Sequence, residues 1–91
     1  MITGRWIVEI AGVPEAIALV PTPARMLRLY ALRTNTGLIY VGHNSEVRAD
    51  AAYPIGEPLF PGQYLDFTDI DLQDIWIDVV NSGEGVTWRG R

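Results

Sequence analysis

The segment Arg25-Met26-Leu27-Arg28-Leu29-Tyr30-Ala31-Leu32-Arg33 decides whether this chain is all-β or mixed. Thr22 as N-cap with Pro23 at the first position would open a helix there. Against a helix, Leu27, Leu29 and Ala31 fall on one face at period two, and Asn35-Thr36-Gly37 leads straight into the apolar run Leu38-Ile39-Tyr40-Val41. A turn of Asn and Gly between two such runs signals a hairpin, so we assign a strand and expect it to pair with the run that follows.

The same period recurs on both sides. Trp6, Val8 and Ile10 alternate with Arg5, Ile7 and Glu9, which is a first strand ended by Gly12-Val13-Pro14. Ala16 to Val20 is a short apolar run closed by Pro21-Thr22-Pro23, since neither proline donates to a ladder. After Val41, Gly42-His43-Asn44-Ser45, Tyr53-Pro54-Ile55-Gly56-Glu57-Pro58 and Pro61-Gly62 mark turns and a long loop, with room for a short strand around Val47. Tyr64-Leu65-Asp66-Phe67 turns Leu65 and Phe67 inward. Ile75, Ile77 and Val79 alternate with Trp76, Asp78 and Val80, as in an antiparallel strand with one wet face. Asn81-Ser82-Gly83-Glu84-Gly85 supplies a last turn before Val86-Thr87-Trp88. Seven to eight short strands of this kind make an all-β fold, an antiparallel β-sandwich or small jelly-roll-like β-barrel, as one domain over 1–91 with an N-terminal arm over 1–4.

Composition narrows the chemistry. The 91 residues are 48% hydrophobic and 20% charged, as in a globular domain. With no Cys, no Lys and a single His, thiol catalysis, Schiff-base chemistry and Cys-based metal sites are excluded. All seven basic residues are Arg, against eleven acids, for a net charge of −4. Residues 1–48 carry Arg5, Arg25, Arg28, Arg33 and Arg48 against Glu9, Glu15 and Glu46, whereas the remainder is strongly acidic. An acidic chain with no basic run lacks the counterion-release drive for nucleic acid and the attraction to an anionic membrane surface, so neither is expected as a partner. No apolar run reaches a membrane-spanning length and the N-terminus lacks a signal-peptide layout, so the chain is read as soluble and made in the cytoplasm.

Candidate sites are few. Asp66, Asp69, Asp71, Asp74 and Asp78 lie close enough in sequence to suggest Ca²⁺, but a loop starting at Asp69 puts Asp74 where the turn needs Gly and Val80 where it needs Glu. These acids are read instead as solvated strand and turn residues, with Asp69 and Asp71 bonding nearby backbone. His43, between Gly42 and Asn44, is read as a turn residue. No catalytic, cofactor or metal residue is assigned. Trp6 and Trp88 fall on strands as core residues, whereas Trp76 shares a face with Asp78 and should point outward, suiting a subunit contact or, second, a sugar. Met1, Ile2, Leu59 and Phe60 flank the core strands and join Trp76 as candidate interface residues.

Asn35-Thr36-Gly37-Leu38-Ile39-Tyr40-Val41-Gly42, then Pro54-Ile55 with Leu59-Phe60-Pro61-Gly62-Gln63, then Asp71-Leu72 with Ile75-Trp76-Ile77-Asp78, and Gly83-Glu84-Gly85-Val86 together form a pattern over roughly residues 25–88. It resembles that of small virion proteins of tailed bacteriophages, in which a hairpin, a proline-bounded turn and strand, and a Gly-rich final hairpin succeed one another. Trp76 stands where that pattern usually has Tyr. The resemblance implies a β-sandwich or β-barrel subunit on the outside of the capsid, commonly a trimeric decoration (cement) protein contacting the major capsid protein, or a head- or tail-associated accessory piece. It implies no enzyme and no cofactor; a host-attachment, glycan-binding module is the alternative.

Overall fold

A computed structural model describes residues 1–50 and 52–91. Its strands are β1 (Ile2–Val8), β2 (Glu15–Ala16), β3 (Pro23–Ala31), β4 (Ile39–Gly42), β5 (Glu57–Leu59), β6 (Tyr64–Asp71), β7 (Trp76–Val79) and β8 (Glu84–Gly90), with a short 3₁₀ turn at Leu72–Asp74. They form two antiparallel four-stranded sheets, ordered β1-β8-β3-β6 (sheet I) and β2-β7-β4-β5 (sheet II). The chain is thus a folded ribbon in which β1 pairs with β8, β2 with β7, β3 with β6 and β4 with β5. That is the jelly-roll order of a double-sheet sandwich. The expected all-β fold is present, and its two separate sheets decide between the sandwich and the closed barrel.

The hairpin expected from Asn35-Thr36-Gly37 does not form, because β3 lies in sheet I and β4 in sheet II. Among the described residues, only β4 and β5 are both consecutive and paired. The turn residues instead tie the crossover to β8. Asn35, 6% exposed, donates from Nδ2 to the Gly85 carbonyl and accepts from the Gly85 N–H. The Glu84 carboxylate accepts from the N–H groups of Thr36 and Gly37. Polar side chains here replace missing ladder partners for the backbone of Thr36, Gly37 and Gly85. The final Gly-rich turn likewise carries the chain from sheet II to sheet I rather than closing a hairpin. Gly85 is required by close approach, since a Cβ there would meet the Trp6 carbonyl across the β1–β8 ladder.

The strand assigned over 25–33 is present as β3, from Pro23 to Ala31. Its buried residues change phase: Leu27, Leu29 and Ala31 face the core, then Ala24. On β6 the same change separates Leu65 and Phe67 from Ile70 and Leu72, and Asp69 between them has φ 48°. Arg25 and Asp69 therefore sit where both strands rotate together, which keeps the core side apolar along the whole ribbon. The first strand is longer than alternation indicates at one end and shorter at the other. Ile2, Thr3 and Gly4 pair with Gly90, Arg89 and Trp88, so residues 2–4 are strand and not an arm, while Ile10 is 63% exposed beyond the end of β1.

Between the sheets lie Val8, Ile17, Leu27, Leu29, Ile39, Val41, Leu59, Leu72, Ile75, Ile77, Val79, Val86 and Trp88. Each fully buried aliphatic side chain contributes about 1.5–3 kcal/mol from removal of apolar area. Trp6 and Trp88 fill the core side of sheet I as expected, Trp88 lying over the bare backbone of Gly4. No helix among the described residues is long and apolar enough to cross a membrane.

Candidate functional site

Alternation that turns one set of side chains of sheet I into the core aligns the other set in rows on its outer face. One row runs Arg5 (β1), Thr87 (β8), Tyr30 (β3) and Tyr64 (β6). The next runs Thr3, Arg89, Arg28 and Asp66 along the same strands. Met26 and Thr68 stand opposite each other in the third, and the Arg91 backbone exchanges hydrogen bonds with Met26. No loop covers these rows: Arg5, Met26, Arg28, Tyr64, Asp66, Arg89 and Arg91 are all exposed.

Arginine and tyrosine organise this face. Arg28 grips Asp66 through two hydrogen bonds, 2.7 Å from Nε and 3.0 Å from Nη2, the fork geometry that suits a planar guanidinium. Its guanidinium also lies 4.0 Å from the centre of the Tyr64 ring. Arg89 lies over Tyr30 at 5.7 Å and donates to the Tyr30 hydroxyl at 3.3 Å. The Tyr30 and Tyr64 rings stand 5.7 Å apart, tilted by 55°. Charge follows contact: the Arg28 bond holds the Asp66 carboxyl below the usual carboxylate range, and the Arg89 bond lowers Tyr30 from the ordinary tyrosine value. Two depressions meet at Tyr30. One, of about 760 Å³, is bounded by Met1, Met26, Arg28, Arg89 and Arg91; the other, of about 480 Å³, by Arg5, Arg33, Thr34 and Thr87.

The outer face of sheet II is covered by loops around Asp78, although Pro58 at its β5 edge is exposed. Asp78, on the solvent side of β7 by alternation, is 0% exposed and accepts from the N–H groups of Gly12, Ala49 and Val79. The loops that follow β1 and β4 are thereby laid over this sheet and pinned to one carboxylate. The wet face expected of β7 is accordingly corrected, because alternation assigns a side of a sheet and not whether a loop covers it. Trp76, on the same side, is half-buried.

The interface residues expected from sequence are not brought together. Met1, 98% exposed, borders the larger depression of sheet I, and Ile2 packs against the core. Leu59 is 3% exposed and belongs to the core, so it is unavailable to a partner, whereas its neighbour Phe60 is 58% exposed at the end of β5. Of the five acids, Asp71 behaves as the expected turn residue, accepting from the N–H groups of Thr22 and Gln73, Asp66 of β6 pairs with Arg28, and Asp78 is buried and not solvated. Among the described residues no group of three ligating side chains gathers as a metal site. His43 is exposed in the bend after β4.

The Arg and Tyr face itself escaped the sequence reading. Its residues come from β1, β3, β6 and β8, and only the jelly-roll order sets them side by side. A signal was present, since Arg28 and Tyr30 alternate with Leu27, Leu29 and Ala31. No protein-family model, curated protein or solved structure matches the chain.

Proposed function

We propose that this protein is a structural component of a tailed-bacteriophage virion, a decoration subunit that binds the outside of the capsid shell through the outer face of sheet I. The bare, cross-linked lattice of Arg28, Tyr30, Tyr64 and Arg89 carries this reading. Arg and Tyr are the residues enriched at protein contacts, and here their rotamers are held by one another before any partner arrives. A jelly-roll sandwich whose second sheet is largely covered by loops around Asp78 leaves this as its open face. Repeated attachment over a symmetric shell turns a modest contact into firm binding, and trimers would multiply it further.

Mass spectrometry and electron microscopy of the source particle test this. Peptides of the chain in purified virions, with density for a sandwich standing on the shell, are expected; absence from the particle overturns the reading. Light scattering of the purified protein reads the trimer, for which a strict monomer at high concentration counts against pre-assembly. Glycan binding is the competing outcome, and sugar affinity lost on Trp76→Ala would replace the decoration reading by the attachment one.

A further inference from the structure

The cations of sheet I are not balanced within the chain. Arg28 and Arg89 stand directly opposite each other on β3 and β8, a like-charge pairing that costs stability unless counter-charges flank it. Asp66 neutralises Arg28. Arg89 has the Tyr30 hydroxyl, and neither it nor Arg5, Arg33 or Arg91 has an ion-pair partner among the described residues. This surplus sits in a chain of eleven acids and net charge −4, yet Asp66 is the one acid in the rows of this face. The two depressions differ in character. Arg5, Arg33, Thr34 and Thr87 surround one with donors, whereas Met1 and Met26 give the other an apolar wall.

We infer that the outer face of sheet I is a docking surface for an extended acidic protein segment that also carries a large apolar side chain. Arg5, Arg33 and Arg89 hold its carboxylates and Met26 seats the apolar group. This deepens the proposed function by naming the chemistry of the partner. Met1, which immediately precedes β1 and borders the same depression as Met26, is four residues from Arg5, about 13 Å of extended chain, so the acidic and apolar positions of an extended ligand fall about four residues apart. Guanidinium forks suit carboxylates, and the pre-set Arg89 loses little freedom on binding one. A single-stranded nucleic acid is the less favoured occupant. It would need open ring faces for base stacking, and Arg28 and Arg89 already lie on the Tyr64 and Tyr30 rings. The net negative charge of the whole chain also repels a polyanion at long range.

The test is an amide-resolved NMR titration of the full chain with the blocked hexapeptide Glu-Glu-Ser-Ser-Ser-Leu. Shifts confined to β1, β3, β6 and β8 are expected, with affinity falling about fivefold or more in the Arg5→Ala/Arg33→Ala double variant and in Arg89→Ala. Replacing the peptide Leu by Ser should weaken binding several-fold, as should raising salt from about 50 to about 200 mM. Arg48→Ala, whose arginine pairs with Asp50 in a loop, should leave affinity unchanged. These arginines are exposed, so the variants keep the wild-type spectrum. Absence of binding, shifts elsewhere, or insensitivity to the arginine variants overturns the inference. Tighter binding of an oligothymidylate of equal charge at the same residues also overturns it. A protein absent from virions that still binds the peptide sinks the decoration reading alone; a virion protein that ignores the peptide sinks this inference alone.

Discussion

The two sheets of this sandwich are built from equally regular alternation, but their outer faces are finished differently. On sheet II the solvent-side carboxylate of Asp78 is consumed in holding the loops after β1 and β4, through the N–H groups of Gly12 and Ala49. On sheet I the solvent-side residues bond to one another, Arg28 to Asp66 and Arg89 to Tyr30, and no loop crosses them. The first arrangement stabilises the fold; the second leaves a rigid, cationic surface that the fold does not require. A polar group on a sheet face is therefore structural or available according to what the connections do, and its residue type alone does not decide.

Removing Asp78 should break the comparison hardest. Asp78→Ala orphans two buried or part-buried loop N–H groups and is expected to cost about 3 kcal/mol, lowering Tm by roughly 12–24 °C in thermal unfolding. A Tm within a few degrees of the parent would mean that packing alone seals sheet II. Asn35→Ala comes next, at about 2 kcal/mol, since the buried Gly85 N–H loses its acceptor; calorimetry reads it as a fall of roughly 8–16 °C.

Glu84→Gln should cost about 1 kcal/mol, because charge-assisted bonds to Thr36 and Gly37 become neutral ones. Burial, the largest single influence on Glu84, raises its pKa, but hydrogen bonds, first those from Thr36 and Gly37 and then that of Asn81, lower it and the carboxyl ends below its ordinary value. A depressed folded pKa supplies stability above the unfolded carboxylate range that is lost as pH falls through the folded value. Tm should therefore drop as pH is lowered from about 5 toward 3, with Asp66 contributing in the same sense, and Glu84→Gln should flatten part of that slope. The smallest effect belongs to sheet I. Arg89→Ala and Tyr64→Ala should each change stability by about 0.5 kcal/mol or less in urea unfolding, as exposed contacts do. A loss as large as that of Asn35→Ala would make this face part of the scaffold.

Period two at Leu27, Leu29 and Ala31, and at Ile75, Ile77 and Val79, was enough to read strands and their core sides, because burying one face of a sheet imposes that period directly. The hairpin at Asn35-Thr36-Gly37 was misread because a turn of this composition also serves a crossover: Asn is as able to bond a distant backbone, here Gly85, as its own. Leu59 and Phe60 illustrate the same limit, being adjacent apolar residues of which one is core and the other exposed. The Arg and Tyr face was invisible because its strands come from both ends of the chain, Thr3 of β1 pairing with Arg89 of β8, and are joined only through ladders, β1 to β8 to β3 to β6.

What the sequence by itself determined is the all-β class, most strand positions and the core sides of the regularly alternating strands, together with the exclusion of chemistry that needs thiols or lysines. These follow from local stereochemistry and from residue inventory, which act without reference to distant partners. The tertiary structure alone decided that consecutive strands other than β4 and β5 fall in different sheets, that Asp78 lies under loops, and that Arg5, Arg33, Arg89 and Arg91, far apart in the chain, surround one open face. Those are consequences of long-range pairing, which loop-closure entropy and core burial settle jointly for the whole chain and which no local window contains.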